Sequence, residues 1–322
     1  MKAAVLYNFG ETPKYEDFPN PVLAEGEISI DVKAVTLENV DKMMADGSHF
    51  ASKQFLNEFP AIIGKGGVGE RADGRLVGFS GMRAPYGAMA EKVVVPENET
   101  VVIPNGIRPE VAAALPSAAM TSLLPLKWGT QMKKGATVLI NGATGVAGKL
   151  AVQIAKLLGA KHVIGTGRNE ESLKRIQELG ADQIIDLKKS KKELIKSFKQ
   201  ETVNGIDIVL DFLWGEPTEA LIQAMVPDSL HFTGARTQLV QIGEKAGAEL
   251  TLSADSLRTS GLEIIGGASG LTAESILEAS NIIWEWAKEE KLQMDIETVS
   301  LQDIESIWQR KDFQGTRIVI TP

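Results

Sequence analysis

The sequence predicts an α/β protein in which a β-rich segment precedes a doubly wound parallel sheet. Three observations carry this expectation. Residues 137–148 pass from an apolar strand through a glycine turn into a helix. From Thr137 onward, strand-length apolar runs alternate with helical stretches, as in a parallel sheet covered on both faces. Before about residue 113, short strands and crowded glycines suit a barrel-like domain.

Residues 2–7 form a short apolar strand, and 27–35 alternate apolar and polar side chains, the mark of a half-buried strand. Gly64, Gly66, Gly67 and Gly69, then Gly74, Gly78 and Gly81, supply tight turns. Residues 90–96 form a strand stopped by Pro96. Helical runs follow at 109–115 and 118–128. Strands are expected at 138–140, 163–166, 183–186, 207–212, 239–242 and 262–265, with helices at 170–179 and 191–201 between them. A long helix at 273–288, a short one at 303–308 and a strand at 316–320 close the chain.

With 322 residues the chain is long enough for two domains. Its 43% hydrophobic content is that of a globular protein, and its net charge of −8 argues against nucleic acid as a partner. Lys188, Lys189, Lys191 and Lys192 read as a solvated face. There is no cysteine, which excludes disulfides and thiolate–metal sites. The first residues are too soon polar for a signal peptide, and no apolar run is long enough to span a membrane. A cytoplasmic protein with no membrane partner is the expectation.

The glycine turn carries the chemistry. Gly142, Gly145 and Gly148 let the backbone turn sharply and approach a ligand, and the amides of the helix start favour a pyrophosphate. Gly142, Thr144, Gly145, Val146 and Ala147 are the expected contacts. The position twenty after Gly148 decides the nucleotide. NAD sites place Asp or Glu near there for the ribose hydroxyls, whereas this chain has Arg168, with acids only from Glu170. An arginine suits a 2′-phosphate, so NADP(H) is expected; the alternative is a surface arginine beside a helix start. Lys174 is either a second contact or a solvated lysine.

Further motifs carry a family resemblance. These are Asp41 followed by Gly47, the Gly64–Gly69 turn, Tyr86-Gly87-Ala88-Met89-Ala90-Glu91, Ala112-Ala113-Ala114-Leu115-Pro116 with Thr121, the glycine turn itself, Gly180-Ala181-Asp182, Asp211, and Gln241-Ile242-Gly243. In this order they resemble the medium-chain dehydrogenase/reductase superfamily, in its zinc-free quinone oxidoreductase-like branch, over nearly the whole chain. The resemblance implies a GroES-like β-rich catalytic domain from both chain ends (1–113 and 269–322) and a Rossmann-fold domain between them (114–268). It also implies a homodimer or homotetramer joined at sheet edges, here near residues 262–266. Zinc-dependent relatives bind metal through Cys, His and Glu; this chain has no Cys and reads Gly64-Lys65-Gly66 at their Gly-His-Glu position. His49, His162 and His231 are scattered, so no metal site is expected.

The resemblance implies an NADPH-dependent reductase that passes hydride to a quinone or an α,β-unsaturated carbonyl. The alternatives are a zinc-independent alcohol or aldehyde oxidoreductase and a non-catalytic NADPH-binding redox sensor. Thr166, Gly167, Arg168 and Asn169 would line the adenosine ribose. Ile242 and Gly243 would back the nicotinamide, and Thr121 would either reach the cofactor or serve the helix. On the substrate side, many members carry an asparagine three residues before the aspartate. Glu38 stands there in this chain and Asn39 beside it, and either could line the site. His49 could donate a proton or lie on the surface. Tyr86 could donate to a carbonyl or simply pack. Phe50 and Trp214 are expected as apolar walls, and Trp284, Trp286 and Trp308 as core or subunit-interface residues.

Overall fold

The structure is a computed structural model that describes residues 1–227, 236–311, 313 and 315–322. Its contacts divide the chain into two compact units, Met1–Pro116 with Asp295–Pro322, and Ser117–Met294. The N-terminal part comprises β1 (Lys2–Leu6), β2 (Lys14–Asp17), β3 (Glu27–Leu37), α1 (Asn39–Asp46), α2 (Ser52–Phe55), β4 (Ala61–Ile62), β5 (Gly67–Arg71), β6 (Leu76–Phe79), β7 (Lys92–Pro96) and β8 (Thr100–Val102). Next come α3 (Pro109–Leu124), β9 (Thr137–Asn141), α4 (Val146–Leu157), β10 (His162–Gly167), α5 (Glu170–Glu178), β11 (Gln183–Asp186), α6 (Lys191–Thr202), β12 (Ile208–Asp211) and α7 (Gly215–Met225). The chain ends with β13 (Thr237–Gln241), α8 (Ala254–Ser260), β14 (Leu262–Gly266), α9 (Ala273–Lys288), β15 (Ile296–Ser300), α10 (Ile304–Gln309) and β16 (Arg317–Thr321).

The first unit is built on the order β15-β16-β3-β5-β6-β8, with β7 also pairing β3, and a small sheet β2-β1-β4. β3 and β7 pair antiparallel with Ile30 opposite Val93, and β16 pairs β3 with Ile318 opposite Leu37. Their inward side chains join Leu6, Ile63, Val77, Phe79 and Met89 in one buried cluster. Both chain ends thus build one core.

The second unit is a six-stranded parallel sheet ordered β11-β10-β9-β12-β13-β14, with the order reversing at β9. β9 and β10 are almost wholly buried, which is why their sequences read as continuous apolar runs rather than alternations. Ligands of such sheets bind beyond the carboxyl ends of the strands where the order reverses. Gly165 lets α5 sit close, because a Cβ there would lie 2.4 Å from Ile176 Cδ1.

Three details differ from the sequence-based expectation. The two helical runs at 109–128 are one helix, α3, carrying Pro116 inside it and followed by a π-helical turn, Pro125–Gly129. Proline removes one amide from the ladder without ending this helix. The helix α9 belongs to the parallel-sheet unit rather than to the first, which moves the second boundary from 268 to 294. Its ties explain why: Glu278 pairs with Lys127, and Gln153 exchanges hydrogen bonds with the Gln293 backbone just beyond the helix. The helices α1 and α2 were not foreseen.

Candidate active site

In the parallel-sheet unit the turn after β9 is fixed by buried polar side chains. Gly142 adopts φ 90°, where side chains are strained. Its amide donates to Thr166 Oγ1 at 2.9 Å, and Thr166 Oγ1 donates to Asn141 Oδ1 at 2.8 Å. Asn141 Nδ2 donates to Asp211 Oδ1 at 3.0 Å and to Thr218 Oγ1 at 3.2 Å, and Thr218 Oγ1 donates to Asp211 Oδ2 at 2.6 Å. Burial pushes the Asp211 carboxyl above its usual range, against the pull of the Thr218 hydroxyl and the amides of Leu213 and Trp214. All four side chains are buried and satisfied, so the network acts as a frame for the turn.

The glycines divide the work. A Cβ at Gly148 would fall 2.3 Å from Gly142 O, so this glycine permits the turn to pack against its own helix. Gly145 is the N-cap of α4, and a Cβ there would meet only Gly142 O at 3.8 Å. Its backbone is ordinary (φ −76°), and no side chain caps the helix. An uncapped helix start leaves its first amides without intrahelical partners, and with the helix dipole it favours an anion. By contrast, α5, α6, α8 and α9 carry side-chain caps from Asn169, Ser190, Ser253 and Thr272.

Around β10 the expected ribose residues behave differently from one another. Arg168 follows the strand end, exposed, with no hydrogen bond or ion pair to any described residue. The Thr166 hydroxyl is buried and committed to the turn, so its expected place beside the ribose is corrected to a framing role. The Asn169 Oδ1 accepts the Ser172 amide at 2.8 Å, capping α5, which commits that oxygen as well. Gly167 admits Thr144, whose Cγ2 would lie 2.2 Å from a Cβ there. Lys174 pairs with Glu170 at 2.9 Å. Thr121 Oγ1 donates to Ala118 O at 2.7 Å within α3, the helix-serving alternative. The amides of Ile242 and Gly243 both donate to Asp211 O, and Gly243 packs so closely that a Cβ would lie 2.7 Å from Phe212 O.

The first unit holds a pocket of about 520 Å³, counting space open to solvent. It is lined by Asp41, Met44, Phe55, Leu56, Ile62, Ile63, Gly64, Lys65, Gly81, Met82 and Tyr86. Asp41 sits in the first turn of α1, and its Oδ2 accepts the Glu38 amide at 2.8 Å. Burial pushes the Asp41 carboxyl up to about 7, only partly offset by Lys65. The Glu38 carboxylate raises it further, while the Glu38 amide and Arg317 lower it. Glu38 Oε2 lies 2.9 Å from Lys65 Nζ, and its Oε1 lies 3.2 Å from an Arg317 terminal nitrogen. The Arg317 Nε is buried with no hydrogen-bond partner.

Glu38 is thus the member of its pair that enters this cluster, whereas Asn39 is exposed. Tyr86 lines the pocket, stands edge-on to Phe18 at 5.7 Å, and makes only a long 3.5 Å hydrogen bond to Asn20 O. His49 and Phe50 are outside the pocket lining. His49 Nδ1 accepts the Ala51 amide at 3.2 Å, and Phe50 is 95% exposed. The expectation that Phe50 forms a wall is therefore corrected: Phe55, at the end of α2, lines the pocket instead while staying half exposed. Trp214 packs against the core of the parallel-sheet unit. Asp41 and Lys65 were missed as chemistry-bearing residues. The available signal was a lone cation, Lys65, inside a glycine-rich turn.

No group of three metal-binding side chains converges among the described residues. His162 sits near Asp182 and Glu201 at 3.8 and 3.5 Å, and His231 lies outside the described residues. No helix among the described residues is long and apolar enough to cross a membrane.

Comparison with known proteins matches the zinc-binding dehydrogenase family over residues 146–284. A probable quinone oxidoreductase of Leishmania amazonensis is 28% identical over 193 residues, 59% of this chain and 56% of that protein. For most of the first curated relatives matched, the chain likewise spans little more than half of their length. A probable NADPH-dependent quinone reductase of Emericella nidulans is 24% identical with both chains fully covered. The quinone oxidoreductase of Thermus thermophilus, solved alone and with NADPH, superposes with TM-score 0.74 at 25% identity over the full length of both chains.

These matches make the chain similar to the medium-chain dehydrogenase/reductase superfamily, in its quinone oxidoreductase-like branch. The similarity agrees with a parallel sheet whose order reverses at β9 and a first unit assembled from both chain ends.

Proposed function

We propose that the chain is an NADPH-dependent oxidoreductase that reduces quinones or α,β-unsaturated carbonyl compounds. The observation that carries this reading is the uncapped start of α4 at Gly145, where an added Cβ would meet only Gly142 O at 3.8 Å, together with the exposed Arg168 at the end of the next strand, unpaired among the described residues. The residues present fit a phosphorylated dinucleotide. The amides of Val146 and Ala147 would hold the pyrophosphate, Thr144 and Gly167 would border the ribose, and Arg168 would pair with the 2′-phosphate. Ile242 and Gly243, at the end of β13, would back the nicotinamide. The relatives that act with NADPH or bind it support the choice of nucleotide.

Bound there, the dihydronicotinamide supplies a hydride. The chain's own part is to bind the acceptor, keep water away and hold its oxygen. Met44, Leu56, Ile62 and Met82 offer apolar contact to a ring or alkene. Tyr86, with its hydroxyl only loosely engaged, would donate to a carbonyl oxygen. Asp41, its carboxyl pushed up to about 7 and so partly protonated near neutral pH, would serve as a proton reserve. The edge strand β14, paired on one side only, would join two sheets in a dimer.

The test is loss of NADPH absorbance in the presence of a quinone, an enone, an alkenal and a simple aldehyde. The reading expects turnover with the quinone or enone and little with the aldehyde. Tight NADPH binding with no turnover across a wide panel would favour a nucleotide sensor.

A further inference from the structure

We propose that Lys65, alongside Tyr86, binds the substrate's carbonyl oxygen and is the cation that stabilises the negative charge gathering there, with Glu38 as its positioning residue. This rests on the reductase reading above. It goes beyond that reading because it assigns the charge-stabilising role to a residue outside the glycine turn and the nucleotide contacts.

The geometry supports it from three sides. Gly64, at φ 98°, turns the chain so that Lys65 lines the pocket. The Lys65 side chain is 42% exposed, whereas those of Glu38 and Arg317 are 13% and 11% exposed, so the ammonium stands at the opening with its counter-ion behind it. The ammonium carries three donors, and Glu38 Oε2 is its one partner among the described residues. Glu38 is itself fixed, because its other oxygen faces Arg317 at 3.2 Å. Lys65 is thus aimed by one bond and has donors left for a ligand.

Charge balance points the same way. Lys65 and Arg317 carry two positive charges against one on Glu38, so the group is positive by one while Asp41 is neutral. Besides these three groups, the charged neighbour Lys42 is directed to the carbonyls of Trp308 and Arg310. In reduction of an enone, hydride adds to the β-carbon, the alkene pair moves toward the carbonyl carbon, and the carbonyl pair moves onto oxygen. A proton from water then joins the α-carbon and the carbonyl reforms. The oxygen is negative only between those events, so a cation fixed beside it favours the transition state over the ground state. The apolar pocket walls strengthen the attraction by excluding water.

The test needs no nucleotide, so it can fail independently of the reductase reading. The probe is 2,4-dinitrophenolate, an oxyanion conjugated to an apolar ring, followed by its absorbance. 1,3-Dinitrobenzene is the uncharged control for pocket shape. The wild type is expected to bind the phenolate. Lys65→Met should weaken that binding about tenfold or more, the loss of a charged hydrogen bond, and leave dinitrobenzene binding unchanged. Lys65→Arg should retain most of the phenolate affinity. Binding to the wild type should weaken above about pH 7 as Asp41 ionises, and Asp41→Asn should remove that dependence. Absence of phenolate binding in the wild type, or equal phenolate affinity in Lys65→Met, overturns the proposal. So does parallel loss of phenolate and dinitrobenzene, which would make Lys65 a structural residue only.

Discussion

The hydroxyl of Thr166 accepts the Gly142 amide at 2.9 Å and donates to Asn141 Oδ1 at 2.8 Å, so one buried side chain on β10 holds the turn that follows β9. Replacing it with valine keeps the shape and leaves the amide and the Asn141 oxygen buried without partners. Each orphaned group costs about 1–3 kcal/mol. Thr166→Val should therefore lower the free energy of unfolding by at least about 1 kcal/mol in urea denaturation. An unchanged midpoint would mean that the network is not what holds the turn.

Gly145 and Gly148 should respond differently to alanine. Alanine at Gly148 would collide with Gly142 O at 2.3 Å, and the variant should be strongly destabilised. Alanine at Gly145 would make only an ordinary contact with Gly142 O at 3.8 Å and has an ordinary φ, so folding stability should change by no more than about 1 kcal/mol. Its methyl would nonetheless occupy the ground where the pyrophosphate approaches. Thermal melts paired with nucleotide titration separate the two effects. A Gly145→Ala protein that binds NADPH as well as the wild type would move the phosphate site elsewhere.

Burial of Asp41 makes stability depend on pH in a definite sense. Its carboxyl loses a proton near 3.8 when unfolded and at about 7 when folded. Between those values the folded state holds the extra proton, so stability falls as pH rises from about 4 to about 7, then levels off. At about 1.4 kcal/mol per unit, the ceiling is about 4 kcal/mol. Asp41→Asn retains an acceptor for the Glu38 amide and should fall less steeply across this range, leaving the share that the buried Asp211 contributes. Parallel pH profiles for the two proteins would refute the buried neutral acid.

The parallel sheet was legible because buried strands and the glycine turn write themselves into local sequence, β9 and β10 above all. The pocket was not. Its charged group joins Glu38 on the cap of α1, Lys65 after a glycine turn and Arg317 on the last strand, and no local period links such distant positions. Thr166 and Asn169 show a second limit. Sequence placed them near the nucleotide, but whether a hydroxyl or amide is already spent on its own backbone is decided by packing. The helix α9 was assigned to the wrong unit because its ties, Lys127 with Glu278 and Gln153 with Gln293, span long stretches of chain.

The uncapped start of α4 and Arg168 together are proposed to form a 2′-phosphorylated dinucleotide site. Calorimetric titration of the wild type and Arg168→Ala with NADPH and with NADH tests it most directly. The wild type should prefer NADPH. Arg168→Ala should lose about 2 kcal/mol of NADPH affinity, roughly thirtyfold, the scale of a charged hydrogen bond, while NADH affinity stays the same. Equal affinity of the wild type for both nucleotides, or equal losses for both in Arg168→Ala, would contradict it.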